Sequence, residues 1–420
     1  MFTTAEVAVQ AVKPGDRVYV HAAAATPSVL TDALTNRANE LNDVEFCHLH
    51  TGGVAKYADA IYKDVFSVNS LFLGANVRHT LKQGNGSYTP IFLSEMADAI
   101  RKKIIAIDVV FIQVTPPDEH GYCSLGVSIE NIPAAIATAR VVIAQVNKYM
   151  PRTFGDGIIH ISKLDYLVEH HTPIYTLEMG VATEQELKIG NYIAELIDDR
   201  SCLQMGIGSI PNAVLSKLTN HKGLGLHTEM FSDGIIPLVQ SGVITSEYKE
   251  ILPGKMVSTF AHGSQKLYDF IDNNPSIEMR QASFTNDPFE IRKISNMVAI
   301  NSAIEVDVTG QVSADSIGTS IFSGVGGQVD FIYGASKSKN GKSIIALPAV
   351  TAKGQNKIVP TLKQGAGVVT TRAHVDYVVT EFGVAHLYGK SIKQRVEAMV
   401  KIAHPDFQET IAKEYYNLLK

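Results

Sequence analysis

The chain has 420 residues and a formal net charge of −5, with a pI near 6.3, which argues against a nucleic-acid partner because such proteins carry a basic excess. Hydrophobic residues make up 45% and charged residues 19%, so there is material for sizeable cores and wholesale disorder is ruled out. The three cysteines, Cys47, Cys123 and Cys202, are too sparse and odd in number for a disulfide framework and suit a reducing, cytoplasmic setting.

In chain order, the opening MFTTAEVAVQAVKPGDRV lacks a basic start and an apolar run, so no secretory leader is expected. RVYVHA (17–22), VEFCHLH (44–50), IDVVFIQV (107–114), RVVIAQV (140–146) and PIYTLEM (173–179) read as short apolar strands between helical stretches. The most apolar run, 104–114, is too short to cross a bilayer and carries Asp108, so no membrane association is expected. Thr183 and Glu186 have capping-box spacing, with Ile189, Ile193, Leu196 and Ile197 at helical spacing behind them. Strand-like runs resume with SCLQMG (201–206), LGLHT (224–228), MVAIN (297–301), SIIALPA (343–349), GVVTT (367–371) and YVVTEFG (377–383). Apolar strands alternating with helices predict an α/β chain with mostly parallel sheets.

The two halves resemble each other. DRVYVHAAAATPSVLTDALTN (16–36) and DRSCLQMGIGSIPNAVLSKLTN (199–220) both run from Asp-Arg through an apolar strand and a small-residue turn to Pro, then Leu seven residues later, then Thr-Asn. Leu-His-Thr recurs at 49–51 and 226–228, followed by Gly52 in one copy and Glu229 in the other. A duplicated scaffold with one active half is the expectation, divided as 1–182 and 183–420 with a cleft between the halves.

Several chemistries lack their signatures. There is no H-E-x-x-H or C-x-x-C for zinc and no G-x-S-x-G nucleophile elbow, so no metal site is expected. GASKSKNGKS (334–343) fails the P-loop spacing, and GIGSIP (206–211) places Pro211 where a dinucleotide turn needs its third glycine.

What remains is a glycine turn between strand and helix, Gly206-Ile207-Gly208-Ser209-Ile210, which suits close ligand approach; Glu229 just beyond a short strand, where open α/β sheets build sites; and the loop Ser323-Gly324-Val325-Gly326-Gly327, whose amides can stabilise an oxyanion. Glu305 and Glu381 are the next strand-end carboxylates.

These segments, with NKYMPRTFGD (147–156), LHTEMFSDG (226–234), EVDVTGQV (305–312), SGVGGQVDFIYGA (323–335) and the ending AHPDF (403–407), resemble the acetyl-CoA hydrolase/transferase family, in its 4-hydroxybutyrate and butyryl-CoA:acetate CoA-transferase branch. The resemblance implies two tandem α/β domains of the CoA-transferase, NagB/RpiA-like fold. It places the family's nucleophile on Glu229, and coenzyme A contacts on Gly206, Ile207, Gly208, Ser209, Ile210, Asn286, Gly326, Gly327 and Lys353. It further implies transfer of CoA between a short-chain acyl-CoA and acetate through a γ-glutamyl-CoA thioester, with CoA as substrate and covalent intermediate and no permanently bound cofactor. A homo-oligomer, a homodimer first, is the expected assembly. Acyl-CoA hydrolysis by the same glutamate and a non-catalytic CoA-binding paralogue are the alternatives.

Overall fold

The structure, a computed structural model, describes every residue except Met1, Met179, Ile207 and Leu419. The chain forms two compact units. The first is Met1–Glu178 with Val257–Thr285; the second is Met179–Met256 with Asn286–Lys420.

The first unit is built on eight strands: β1 (Phe2–Thr3), β2 (Arg17–Val20), β3 (Val44–His48), β4 (Phe66–Ser70), β5 (Gly86–Tyr88), β6 (Val109–Val114), β7 (Val141–Val146) and β8 (Tyr166–Glu169). Their order across the sheet is β1-β8-β7-β6-β2-β3-β4-β5, and every pairing is parallel. All six residues of β6 are buried, as expected for a central strand covered on both faces. The chain winds outward in one direction from β2 and in the other from β6, so the switch point lies between those two strands. After β2, the alanine turn 22–25 leads into helix α1 (Ser28–Thr35), with Pro27 at its N-cap. Polar side chains in this core are tied together: Gln113 donates to the carbonyl of Thr26 (3.2 Å), and Asn147 donates to Gln113 Oε1 (2.6 Å).

The second unit repeats the plan on six strands: β9 (Cys202–Met205), β10 (Gly225–Leu226), β11 (Met297–Ser302), β12 (Lys342–Ala346), β13 (Tyr377–Thr380) and β14 (Gly383–His386). The order is β10-β9-β11-β12-β13-β14, parallel except for the final hairpin. Its switch point lies between β9 and β11. Helix α2 (Glu184–Ala194) begins at the expected capping box, with Thr183 accepting from the Glu186 amide and Glu186 reaching back to the Thr183 amide. Helix α3 (Ser209–Leu215) follows β9, with Pro211 in its first turn, and helix α4 (Gln328–Lys337) follows the glycine loop. Thus β2-turn-α1 and β9-turn-α3 hold matching topological positions. The helix starts one residue after Pro27 but two residues before Pro211.

Three expectations meet a different outcome. PIYTLEM (173–179) forms no strand over its described residues. Pro173 has no N–H to give, Leu177 donates to the carbonyl of Gly263 (2.9 Å), and the Tyr175 ring lies where side chains at Gly52 and Gly53 would sit. The place beside β7 goes instead to β8, and β1 forms the edge. GVVTT (367–371) supplies only an isolated bridge from Thr370 to Val312. Finally, the segment 257–285 packs with the first unit: Ala261 donates to Val127 O (2.8 Å), Ile129 to Thr259 O (2.9 Å), and Tyr268 Oη to Tyr175 O (2.6 Å). Its apolar strands look no different in sequence from those of the second unit, so its allegiance is set by these backbone pairings.

Candidate active site

The site in the second unit grows from two adjacent strand ends. β9 and β10 are in register, Leu203 beside Leu226, so the glycine turn after β9 and the His-Thr-Glu segment after β10 emerge side by side at the carboxyl edge of the sheet. The link between them is Thr228. Its hydroxyl accepts from the Met205 amide (3.2 Å) and lies 3.1 Å from the Met205 carbonyl. His227 is fully buried with its ring 6.3 Å from Phe331, centroid to centroid. With Thr228 and His227 both fixed, Glu229 has a defined direction.

Glu229 is partly buried, with an edge still reaching solvent. Asn286 Nδ2 donates to its Oε2 at 2.9 Å, and the backbone N–H of Gly327 donates to the same carboxylate. Dense surroundings push its pKa up; those two donors pull it down and only partly offset the rise, so it stays above the ordinary glutamate value. A methyl group on Gly327 would lie 2.0 Å from both Glu229 Oε2 and Asn286 Nδ2. Glycine at 327 is therefore required by space. Its φ of −102° is one that any residue adopts. Asn286 is wholly buried, and its Oδ1 has no hydrogen-bond partner among the described residues.

The turn 206–210 is held from behind. Ser209 donates its hydroxyl to Glu186 Oε1, while Glu186 Oε2 takes the Thr183 amide (2.7 Å) and hydroxyl (2.9 Å). Burial raises the Glu186 pKa, and these donors more than reverse that, leaving it below the ordinary value. Gly208 has φ 118°, a conformation that only glycine tolerates readily. Gly206 differs: its φ is not positive, and an added methyl would meet nothing within 4 Å. Ile210 is buried in the core, and Ile207 lies outside the described residues.

The structure thus brings together Glu229, Asn286 and Gly327. Gly326 precedes Gly327 with φ 53°. Lys353 sits exposed at the tip of a tight turn closed by Thr351 N–H to Gln355 O (2.8 Å), and among the described residues its side chain has no hydrogen bond or ion pair. Glu305 and Glu381 serve loops: Glu305 takes the Lys363 amide (2.7 Å) and Glu381 the Ala349 amide (2.8 Å). Sequence reasoning missed the roles of Thr228 and Glu186. Thr228 carried no signal beyond its place before Glu229, and Glu186 was legible only as a helix cap. Among the described residues no three His, Cys, Asp or Glu side chains converge as metal ligands, and no helix is long and apolar enough to cross a membrane.

This arrangement can present one oriented carboxylate, with two fixed donors, beside a turn open to a ligand. Comparison with known proteins bears on the same chemistry. Residues 1–177 match the acetyl-CoA hydrolase/transferase N-terminal domain, and residues 263–415 the C-terminal domain of that family. A relative from Fasciola hepatica, named succinyl-CoA:acetate/propanoyl-CoA:succinate CoA transferase, is 50% identical over 97% of this chain and 86% of its own length. The 4-hydroxybutyrate coenzyme A transferase of Clostridium kluyveri is 45% identical over 98% of this chain and 96% of its own. The crystal structure of RipA from Yersinia pestis superposes with a TM-score of 0.95 at 33% identity, covering 100% of this chain and 97% of that one.

Proposed function

We propose, for a chain that belongs to the acetyl-CoA hydrolase/transferase family, that Glu229 carries CoA between a short-chain acyl-CoA and acetate as a γ-glutamyl-CoA thioester. The protein is a CoA-transferase, as the two relatives above are named. Butyryl-CoA and 4-hydroxybutyryl-CoA are the donors favoured by this reading. The carrying observation is the clamp on Glu229: Asn286 Nδ2 at 2.9 Å from Oε2, with the Gly327 amide on the same group.

Glu229 attacks the thioester carbonyl of the donor. The C–S bond breaks, CoA leaves as thiolate, and an acyl-glutamyl anhydride remains. The thiolate then attacks the glutamyl carbon, expelling the donor acid as carboxylate. An acceptor carboxylate attacks the glutamyl thioester, releases the thiolate and forms a second anhydride. The thiolate finally attacks the acceptor's carbonyl and frees Glu229. No net proton moves, so no general base is needed, and the kinetics are ping-pong.

The two donors do different work at different steps. They orient the carboxylate for attack. Once Glu229 is acylated, its carbonyl oxygen still faces Asn286 and Gly327, which are placed to stabilise the oxyanion that forms when thiolate attacks; removal of one such donor typically costs about 100- to 1,000-fold in rate. The Gly206–Ile210 turn, with Gly326 and Lys353, is the proposed CoA contact surface. Binding energy from the non-reacting body of CoA can then be used at the reacting carbon.

The test is acetate dependence. With butyryl-CoA as donor, acetate should yield acetyl-CoA in step with butyryl-CoA loss, and omission of acetate should stop turnover. Steady release of free CoA into water at a comparable rate would instead identify a hydrolase.

A further inference from the structure

The first unit carries a polar cluster that the chemistry above does not use. β3 ends at His48, and the chain continues Leu49-His50-Thr51-Gly52, the segment that matches Leu226-His227-Thr228-Glu229. It occupies the matching place, beside the turn that follows β2: Ala23 donates to the carbonyl of His50 (2.8 Å), and Gly52 donates to that of Ala23 (3.1 Å). The carboxyl ends of strands next to a switch point are where open α/β sheets bind ligands.

The two copies differ in what they expose. In the second unit the histidine is sealed against Phe331 and the glutamate is presented. In the first unit Gly52 has no side chain to present, and His50 is only half buried. Its ring lies nearly parallel to that of His262, with 6.3 Å between centroids and 24° between planes. Phe72 and Phe260 stand edge-on to His50 at 5.9 and 5.7 Å. His262 is half buried as well. His48, by contrast, is fully buried, and its two nitrogens are engaged by the carbonyl of Leu49 and the hydroxyl of Tyr57 (3.0 Å).

Neither the His50 ring nor the His262 ring makes a hydrogen bond or ion pair among the described residues, and none of their ring nitrogens is sealed from solvent. Burial lowers the pKa of His50, with His262 and His48 as the titratable groups acting on it, and burial lowers that of His262. Without ligand both rings are neutral at pH 7, and each offers one N–H with no protein acceptor. A metal ion would need further ligands, and no third one converges here among the described residues. A small anion with an apolar body suits two N–H donors set in an aromatic frame.

We propose that His50 and His262 form a binding site for a short-chain carboxylate, their imidazole N–H groups donating to its oxygens. A bound carboxylate also favours imidazolium, the proton being drawn from solvent. The assignment deepens the CoA-transfer reading, on which its purpose rests, by giving acid recognition to residues of the first unit.

The experiment is an NMR titration of the full chain, with ¹⁵N-labelled histidine and a Glu229→Ala background so that no turnover intervenes. Acetate and succinate are the probes, and acetamide is the uncharged control. The His50 and His262 ring resonances should shift saturably with either acid and not with acetamide. The double variant His50→Phe/His262→Phe keeps two rings in the frame; it should weaken acid binding at least tenfold by calorimetry, with CoA binding unchanged. Absence of saturable ring shifts in the wild-type histidines overturns the site, whatever the variant's folding. So does unchanged acid affinity in a folded double variant. Neither result depends on the role of Glu229, so failure here and failure of the glutamyl-thioester reading are separable.

Discussion

Gly327 shows how little room surrounds the glutamate. Its amide donates to Glu229, and its missing side chain leaves the space that Glu229 Oε2 and Asn286 Nδ2 occupy. Gly327→Ala introduces one methyl 2.0 Å from each, so the carboxylate or the amide must move. A shift of about 1 Å at a reacting atom costs roughly 100-fold. The expected outcome is a kcat lowered by about two orders of magnitude with the melting temperature nearly unchanged, because φ at 327 suits alanine. Wild-type kcat in a folded Gly327→Ala protein would show that this contact does not govern catalysis. Glu229 was legible in sequence because it breaks the internal repeat: one copy has Gly52, the other a carboxylate. Asn286 and Gly327 were legible only through family resemblance, since nothing in their spacing says that they meet a residue 57 or 98 positions away.

At the level of elements, α2 carries the glycine turn on its back. Glu186 and Gly190 lie four residues apart, on one face of that helix. Glu186 holds Ser209, the first residue of α3. Gly190 lets α3 come so close that an added methyl would lie 2.8 Å from the carbonyl carbon of Ala213 and 3.1 Å from the Val214 amide. In an exposed helix, Gly→Ala gains about 1 kcal/mol. Here the neighbour is backbone, which cannot turn aside, and overpacking costs roughly 1–3 kcal/mol. Gly190→Ala should therefore lower the urea midpoint and raise the KM for acyl-CoA through a displaced turn; a higher midpoint would mean that the two helices are not locked this way. Much of this architecture was readable in advance. The capping box at Thr183 and Glu186, the matching strand-turn-helix units and most central strands follow from local pattern. PIYTLEM and GVVTT did not behave as strands because apolar composition does not report whether a neighbouring strand edge is free. The union of 257–285 with the first unit depends on long-range backbone pairing, which no local pattern encodes.

The whole molecule carries its acid sensitivity in buried neutral histidines. His21 is fully buried; its Nε2 meets the Ser128 carbonyl at 2.6 Å, while Nδ1 accepts the Gln113 amide at 3.2 Å. One donor and one acceptor satisfy the neutral ring, and a second proton would face the Gln113 N–H. Burial brings His21 and His48 down to about 4. Between pH 6.5 and 4 the unfolded chain binds more protons at these sites than the native one, so stability falls as pH falls, by roughly 3 kcal/mol per ring across the window. Glu229 acts in the opposite sense, since its raised pKa makes the native state the better proton binder above the ordinary glutamate value. His50 is lowered to about 4 in the same sense as His21 and His48, so urea midpoints should decline from pH 6.5 to pH 4, and a flat profile would mean that the histidines are not held neutral. Transfer through Glu229 rests on one covalent bond. Incubation with butyryl-CoA and no acceptor acid, followed by borohydride reduction and peptide mass spectrometry, reads it directly. The intact protein should gain the mass of CoA less one water before reduction, the reduced residue should map to Glu229, and Glu229→Gln should show neither. No adduct in an enzyme that still transfers CoA, or an adduct that survives Glu229→Gln, would contradict the account.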